Sequence, residues 1–311
     1  MRKLEVYIEE DGDFVLAGQI QGETWEDARF IYEKSYLENQ SHQPVSISLP
    51  FQEDAFSPFE TRCYFEGLLP EGYTRRCVAG WMHVAEEDYL SVLAGLGNEC
   101  LGAVRICEPG AGGCSPSYKK ISREELLEFA KEGASKSAQF LAKAHLSLTG
   151  ASGKTGLYYD NKDGWYMPFG TAPSTHIVKQ SHVRLSGIVA NEQLCLRTAK
   201  ILGIDVPESF IISVGTGEHI LFATKRFDRL MEDSRVIDGK KVPFRLQQED
   251  FAQALGVPAS QKYEKIGDSY LKRVFTLLRQ YSDNPVEDQL KLWDICIFNY
   301  LIGNTDNHIK N

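Results

Sequence analysis

Near its end the chain reads GNTDNHIKN, Gly303 to Asn311, with Asp306 and Asn311 five residues apart. That spacing suits phosphoryl transfer, in which a carboxylate accepts a hydroxyl proton and an amide further along the same loop holds a magnesium ion. His308 and Lys310 fall between them and would bring an imidazole and an ammonium to the same point. The apolar run before the loop, WDICIFNYLI from Trp293 to Ile302, reads as a helix that fixes where the loop begins. Taken alone, the nonapeptide reads equally as a polar tail rich in helix-stop residues.

Phosphoryl transfer from a nucleotide needs a lysine on a strand, and HIVKQ, His176 to Gln180, supplies Lys179 after alternating residues. The partner of such a lysine is a glutamate on the next helix, and Glu192 lies at the start of a helix read over Asn191 to Leu202, with Gly203 as its stop. The plainer reading makes Lys179 a surface strand residue and Asn191 an N-cap, with Glu192 favouring the helix dipole. A glycine-bearing loop is the third requirement. LSLTGASGKTGLYY, Leu146 to Tyr159, offers Gly150, Ala151, Ser152, Gly153, Lys154 and Thr155. GASGKT approaches the pattern G-x-x-x-x-G-K-[ST], but the first glycine would fall at Leu148, and GLYYD reads as a strand where a P-loop needs a long helix. A metal hydrolase built on Asp306 and His308 lacks further ligands at metal-site spacing.

The elements that must position these groups divide unevenly. The 311 residues carry a formal charge of −9, and the acidity sits in the first third: residues 1–110 hold 8 Lys/Arg against 20 Asp/Glu. Such a surface repels phosphate backbones and suits a basic partner. Seven cysteines without a CxxC pair exclude both a disulfide framework and a zinc site. No apolar run approaches the ~18 residues of a membrane span, and the acidic N-terminus is no signal peptide, so a cytoplasmic location is expected.

KLEVYIEEDGDFVLAGQI alternates on both sides of Asp11-Gly12 and predicts a hairpin. VSISLP, Val45 to Pro50, alternates again, and helices are expected over Phe59–Gly67 and Glu86–Leu96. CEPGAGGCSPS reads as a linker. Beyond it come a helix led by Ser122, strands over Gln139–Leu148, Gly156–Tyr159, Trp165–Pro168, His176–Gln180 and His219–Phe227, and then helices over Gln248–Leu255, Tyr270–Tyr281 and Val286–Ile302. The expected fold class is α+β, a β-rich lobe joined to an α-rich lobe.

At this level the chain resembles a known family, the HipA-like serine/threonine kinases of bacterial type II toxin–antitoxin systems. The resemblance spans nearly the whole chain. Residues 46–76 and LAGLGNECLGAVRI look like the family's N-terminal subdomain, SLTGASGKTGL its phosphate loop, STHIVKQ its ATP-lysine strand and VANEQLCLRTAKILGI the following helix. KRFDR, EDFAQALG, KYE and NYLIGNTDNHIKN are similar to the segments that complete its kinase core.

The resemblance implies a protein kinase-like two-lobed fold: an N-terminal subdomain over 1–108, a linker over 109–118, an N-lobe over 119–223, and the hinge with the first part of a helical C-lobe over 224–311. It implies ATP and Mg²⁺ as cofactors, Asp306 as catalytic base, Asn311 as metal ligand, Lys179 on the ATP phosphates, and a hinge over Thr224 to Phe227, with Lys225 and Phe227, that pairs with adenine. His308 joins the ATP-binding set, and Ser147 takes the place of the serine whose autophosphorylation ejects the loop. Added phosphate charge beside the ATP site would weaken nucleotide binding. Lys225 stands where the family usually has an acid, and Ser152-Gly153 where it has Gln-Glu. The family's second magnesium-binding Asp lies past residue 311, so the C-lobe is expected to be incomplete and the sequence a fragment or part of a split gene. Typical partners are a small HipB-like helix-turn-helix antitoxin, operator DNA through that antitoxin, and a protein substrate such as an aminoacyl-tRNA synthetase. The alternative expectation is a catalytically impaired corepressor docked on a DNA-bound antitoxin.

Overall fold

The computed structural model describes residues 1–111, 115–132, 134–148, 153–181, 185, 187–215 and 219–310. The expected hairpin forms: β1 (Arg2–Glu10) and β2 (Asp13–Gly22) pair antiparallel from Arg2↔Gly22 to Glu10↔Asp13. Asp11 and Gly12 turn the chain with φ of 50° and 93°, the left-handed conformation that a tight hairpin turn demands. β3 (Arg29–Tyr32) and β4 (Val104–Cys107) complete a four-stranded sheet in the order β3-β2-β1-β4.

Helices α1 (Lys34–Leu37), α2 (Pro58–Phe65), α3 (Gly72–Met82) and α4 (Tyr89–Leu96) accompany this sheet. Leu4, Val6, Ile20, Phe30, Phe65 and Leu93 join one buried core. Ser57 and Glu60 form a capping box that starts α2, and the Asp88 side chain caps α4 by accepting from the Ser91 amide. VSISLP is not a strand. It closes as a tight turn through a Ser46↔Leu49 bridge, because the Glu249 carboxylate captures the Ile47 amide at 2.9 Å and the Ser46 hydroxyl.

The second sheet has six strands in the order β5-β7-β6-β8-β10-β9: β5 (Ser117–Lys120), β6 (Lys154–Asp160), β7 (Gly164–Phe169), β8 (His176–Gln180), β9 (Ser209–Ser213) and β10 (Ile220–Lys225). Two helices, α5 (Arg123–Glu132) and α6 (Ala134–Ala144), precede β6. Most of the strand expected over Gln139–Leu148 is therefore helix. Ala138, Leu141 and Ala144 are buried at helical spacing, and only Leu146 makes an isolated bridge, to Glu99. α7 (Ile188–Ile201) begins three residues before the expected start, with Gly187 at its N-cap, so Asn191 is an interior residue of the first turn.

The rest is a hairpin, β11 (Arg229–Ile237) and β12 (Lys240–Arg245), followed by α8 (Phe251–Ala254), α9 (Tyr270–Tyr281) and α10 (Pro285–Leu301). The hairpin was not anticipated, although Asp238-Gly239 carries the turn signal and adopts φ of 49° and 73°. α10 packs on α9, with the Phe275 and Trp293 rings 6.1 Å apart.

Two buried ionic clusters fasten the first unit to the second. Glu99 accepts from Arg229 at 3.1 Å and lies 3.5 Å from Arg226, while Asp228 is held by Arg226 at 2.6 Å and Arg229 at 3.0 Å. The Glu99 carboxylate also receives the Ser174 amide at 2.7 Å, and Asp228 the Gly102 amide at 2.8 Å. Burial alone would raise both carboxyls, but the arginines outweigh it and hold Glu99 below, and Asp228 well below, the usual range. In the second cluster Glu9 of β1 pairs with Arg235 at 2.6 Å and closely with Arg245. A buried ion pair is no large net gain over apolar packing, but removing one partner strands a charge in low dielectric.

Candidate active site

Strand alternation decides which side chains share the cleft. The β6–β8 ladder pairs Lys154 with Lys179 and Gly156 with Ile177. The β8–β10 ladder adds Phe222 opposite Lys179 and Thr224 opposite Ile177. All six residues belong to one face of the sheet. α7 brings Glu192 to that face, where its carboxylate accepts from Lys179 at 2.5 Å, and the Lys179 ammonium stands 5.7 Å from the centre of the Phe222 ring. The predicted lysine–glutamate pair therefore exists as an ion pair.

Lys154 is different. Its ammonium is partly buried and has no hydrogen-bond or ion-pair partner among the described residues. Burial, reinforced by the neighbouring Lys179 charge, pushes it down to about 7. On the same face the Thr224 hydroxyl is buried with no partner.

Alternation removes two expected side chains from this group. Thr155 pairs with Val178 on the opposite face and is 1% exposed, so its hydroxyl is not presented with Lys154. Lys225 pairs with His176 on that same opposite face and lies 3.7 Å from Glu208, which leaves only its backbone for a ligand. Within the expected hinge, the amides of Lys225 and Arg226 donate to Glu208 and Thr175 carbonyls at 2.8 and 2.9 Å, and the Phe227 side chain is exposed. Gly153 accepts the Gln180 amide at 3.2 Å. Gly150, Ala151, Ser152 and Asn311 lie outside the described residues.

The polar loop follows α10 through Gly303, whose φ of 67° ends the helix. The Asn304 side chain accepts the Asp306 amide at 3.1 Å, and the exposed Asp306 carboxylate accepts the Tyr263 hydroxyl at 2.5 Å. His308 sits 3.8 Å from Asp306 and edge-on to Tyr263, with ring centres 4.9 Å apart. Burial and the Lys262 charge lower its pKa, which favours the neutral ring. Lys310 is buried and donates to Asp250 at 2.6 Å and to the Gly67 carbonyl at 3.0 Å. Glu71, just before α3, holds Lys262 at 2.7 Å and approaches Lys310 at 3.9 Å. The first unit thus supplies a carboxylate and a carbonyl that fasten the loop.

Ser147 is fully buried. Its hydroxyl donates to the Leu68 carbonyl at 2.7 Å and its amide to the Glu99 carbonyl at 2.8 Å.

The residues present fit a nucleoside triphosphate. An ammonium without a counter-ion beside an ion-paired one is a cradle for phosphate, and an unpartnered buried hydroxyl beside Phe222 and Ile177 suits a purine edge and face. For a divalent cation, the described residues contain no cluster of three or more His, Cys, Asp or Glu able to hold one.

Comparison with known proteins identifies the family. The family model of the HipA-like C-terminal domain matches residues 146–311, and that of the HipA N-terminal domain matches residues 4–107. The chain belongs to the HipA family. Among HipA relatives, the putative kinase Y4mE of Sinorhizobium fredii is 33% identical over 307 residues, covering 95% of this chain and 70% of that protein. The serine/threonine-protein kinase toxin HipA of Shewanella oneidensis is 28% identical over 285 residues, covering 88% and 63%. The solved structure of Shewanella oneidensis MR-1 HipA with HipB and operator DNA aligns with a TM-score of 0.77 at 25% identity, over 99% of this chain and 71% of that one. The α+β, kinase-like HipA fold expected from sequence is thus borne out. The chain spans about two thirds of the length of these HipA relatives, and no helix among the described residues is long and apolar enough to cross a membrane.

The sequence reading named Thr224 only as the start of the expected hinge and KYE only as a segment of the core, and did not anticipate the unpartnered Thr224 hydroxyl, the contacts of Glu71, Lys262 and Tyr263 around the polar loop, or the pairing of Glu99 with Arg226 and Arg229. Thr224 falls on the lysine face because the ladder sets Phe222 opposite Lys179, a pairing that the sequence does not contain. Glu71 and Glu99 find partners more than a hundred residues away, and no local signal marks them.

Proposed function

We propose that the chain is an ATP-dependent serine/threonine protein kinase acting as the toxin of a HipA/HipB-like module. The observation that carries this reading is the Lys179–Glu192 ion pair on the sheet face that also holds Lys154 and Thr224. ATP would supply the transferred phosphoryl group and Mg²⁺ the charge that offsets its oxygens. Lys179, oriented by Glu192, holds phosphate; Lys154 and the backbone of the 150–153 loop complete the cradle. Thr224 and carbonyls of the hinge face adenine.

Asp306 takes the proton of the incoming hydroxyl, with Tyr263 and the Asn304 side chain fixing its carboxylate and loop. His308, held neutral, lines the same loop, and Asn311 serves as metal ligand. Ser147 is the autophosphorylated residue. Its hydroxyl is buried against the Leu68 carbonyl, so Ser147 must leave that contact to be phosphorylated. The partners are a HipB-like helix-turn-helix antitoxin, operator DNA through it, and a protein substrate in a reducing cytoplasm, for which an aminoacyl-tRNA synthetase is the working candidate.

The test is transfer of radiolabel from the γ-phosphate of ATP to protein by the complete gene product, beside Lys179→Met and Asp306→Asn. Label that requires both residues supports the kinase reading. Label that persists in Asp306→Asn contradicts the assigned base.

A further inference from the structure

Lys154 and Lys179 occupy directly opposed positions on neighbouring antiparallel strands, an arrangement in which like charges repel. Only one of them is neutralised. The Glu192 carboxylate on α7 is taken by Lys179 at 2.5 Å. Among the described residues, the charges of Glu71 before α3 and Lys310 in the polar loop also act on Lys154. Glu71 is engaged by Lys262 at 2.7 Å, and Lys310 by Asp250 at 2.6 Å. One oxygen of Glu71 accepts no hydrogen bond, but among the described residues no carboxylate makes a hydrogen bond or ion pair with Lys154.

We propose that Lys154 takes up a proton as nucleotide phosphates enter the cleft, so that nucleotide affinity depends on pH near neutrality. This inference rests on the nucleotide-binding reading given above and adds a regulatory property to the same site.

The physical sequence has two states. In the empty cleft, burial and the adjacent Lys179 ammonium favour the neutral amine, consistent with the value of about 7. A phosphate group lying between the two lysines supplies the missing negative charge and restores the ordinary preference for the ammonium. The bound state then holds more protons than the free state over the window from about 7 up to the usual lysine range, and linkage requires affinity to fall as pH rises through that window. Glu192 and Glu71 pull the other way and are too few, since each is already shared with another lysine.

The experiment is calorimetric titration of the protein with ADP in excess Mg²⁺, in pairs of buffers that differ in ionisation enthalpy, at several pH values from about 6 to 9. The expected result is uptake of ~1 proton per nucleotide at about pH 8, falling toward zero at about pH 6, with affinity dropping up to ~10-fold per pH unit above neutrality. Lys154→Arg keeps the charge at every pH and should bind ADP without the uptake. Lys154→Met should bind weakly, with no recovery on acidification. Binding without proton uptake at about pH 8 would overturn the inference and leave the nucleotide site standing. Unchanged uptake in a folded Lys154→Arg would overturn it by placing the proton elsewhere. No ADP binding at any pH would instead overturn the nucleotide-binding reading on which it rests.

Discussion

The hydroxyl of Ser147 reaches the carbonyl of Leu68 at 2.7 Å, from a buried position between the N-terminal unit and the kinase-like unit. The contact joins the root of the candidate phosphate loop to the turn that leads toward Glu71, and Glu71 in turn holds Lys262 beside the polar loop. The N-terminal unit is therefore part of the scaffold on which both halves of the candidate site stand.

Ser147→Ala leaves the Leu68 carbonyl without its donor. Its unfolding free energy should fall by about 1–3 kcal/mol, measured by denaturant titration. Ser147→Asp, which forces a carboxylate against a carbonyl, should cost more in the same titration.

Glu99 lies between Arg226 and Arg229 with almost no solvent access. Glu99→Ala should destabilise by about 3–5 kcal/mol, because two buried guanidinium groups lose a shared carboxylate. Loss of this anchor should also split the thermal transition into two. A single, barely shifted transition would show that the cluster contributes little to joining the units.

Lys179→Met should abolish detectable nucleotide binding, whereas the folding stability of this variant should change by less than about 1 kcal/mol, since the Lys179–Glu192 pair is partly exposed. Glu192→Gln should weaken binding less than Lys179→Met does. Titration with a fluorescent adenine nucleotide, beside a denaturant series, separates the two effects.

Acid should destabilise the fold in two stages. His176, packed among Tyr159, Trp165 and Phe210, is lowered to about 4 by burial and then by Lys225. Its folded-state value lies below the unfolded one of about 6.5, so its contribution is complete above about 6.5 and declines as pH falls toward 4. Glu99 and Asp228 are likewise held below their unfolded values, and their contribution is lost only below about 4 as they protonate. His176→Phe should flatten the first stage and leave the second, as read from denaturation midpoints between about pH 3 and 8.

The parts of the site legible in sequence were those with a local signature. Lys179 follows alternating residues on a strand and Glu192 lies on the next helix, so the strand–helix order together with the requirement of phosphoryl transfer for a lysine–glutamate pair placed them together. Asp306 follows a long apolar helix and a glycine stop. The faces of Thr155 and Lys225 were not legible, because alternation assigns a side only after one residue of the strand is anchored, and that anchor came from the ladder with Val178 and His176. α6 was misread as a strand because a short run mixing Ala, Phe and Leu fits both periods until its packing partners are known. Glu99 and Arg226 are charged residues buried by pairing across the two units, and the half-buried Glu71 is held the same way, in pairings that no window of sequence contains.

The central claim is that Asp306 and Lys179 belong to one phosphoryl-transfer site. Its most direct measurement is the intact mass of the complete gene product after incubation with Mg²⁺ and ATP, with peptide mapping across Ser147 and an Asp306→Asn control. One added phosphate on Ser147 is expected in the wild-type protein and none in the control. A protein that binds ATP yet gains no phosphate on itself or on any added protein, or a control that is phosphorylated as fully as wild type, would contradict it.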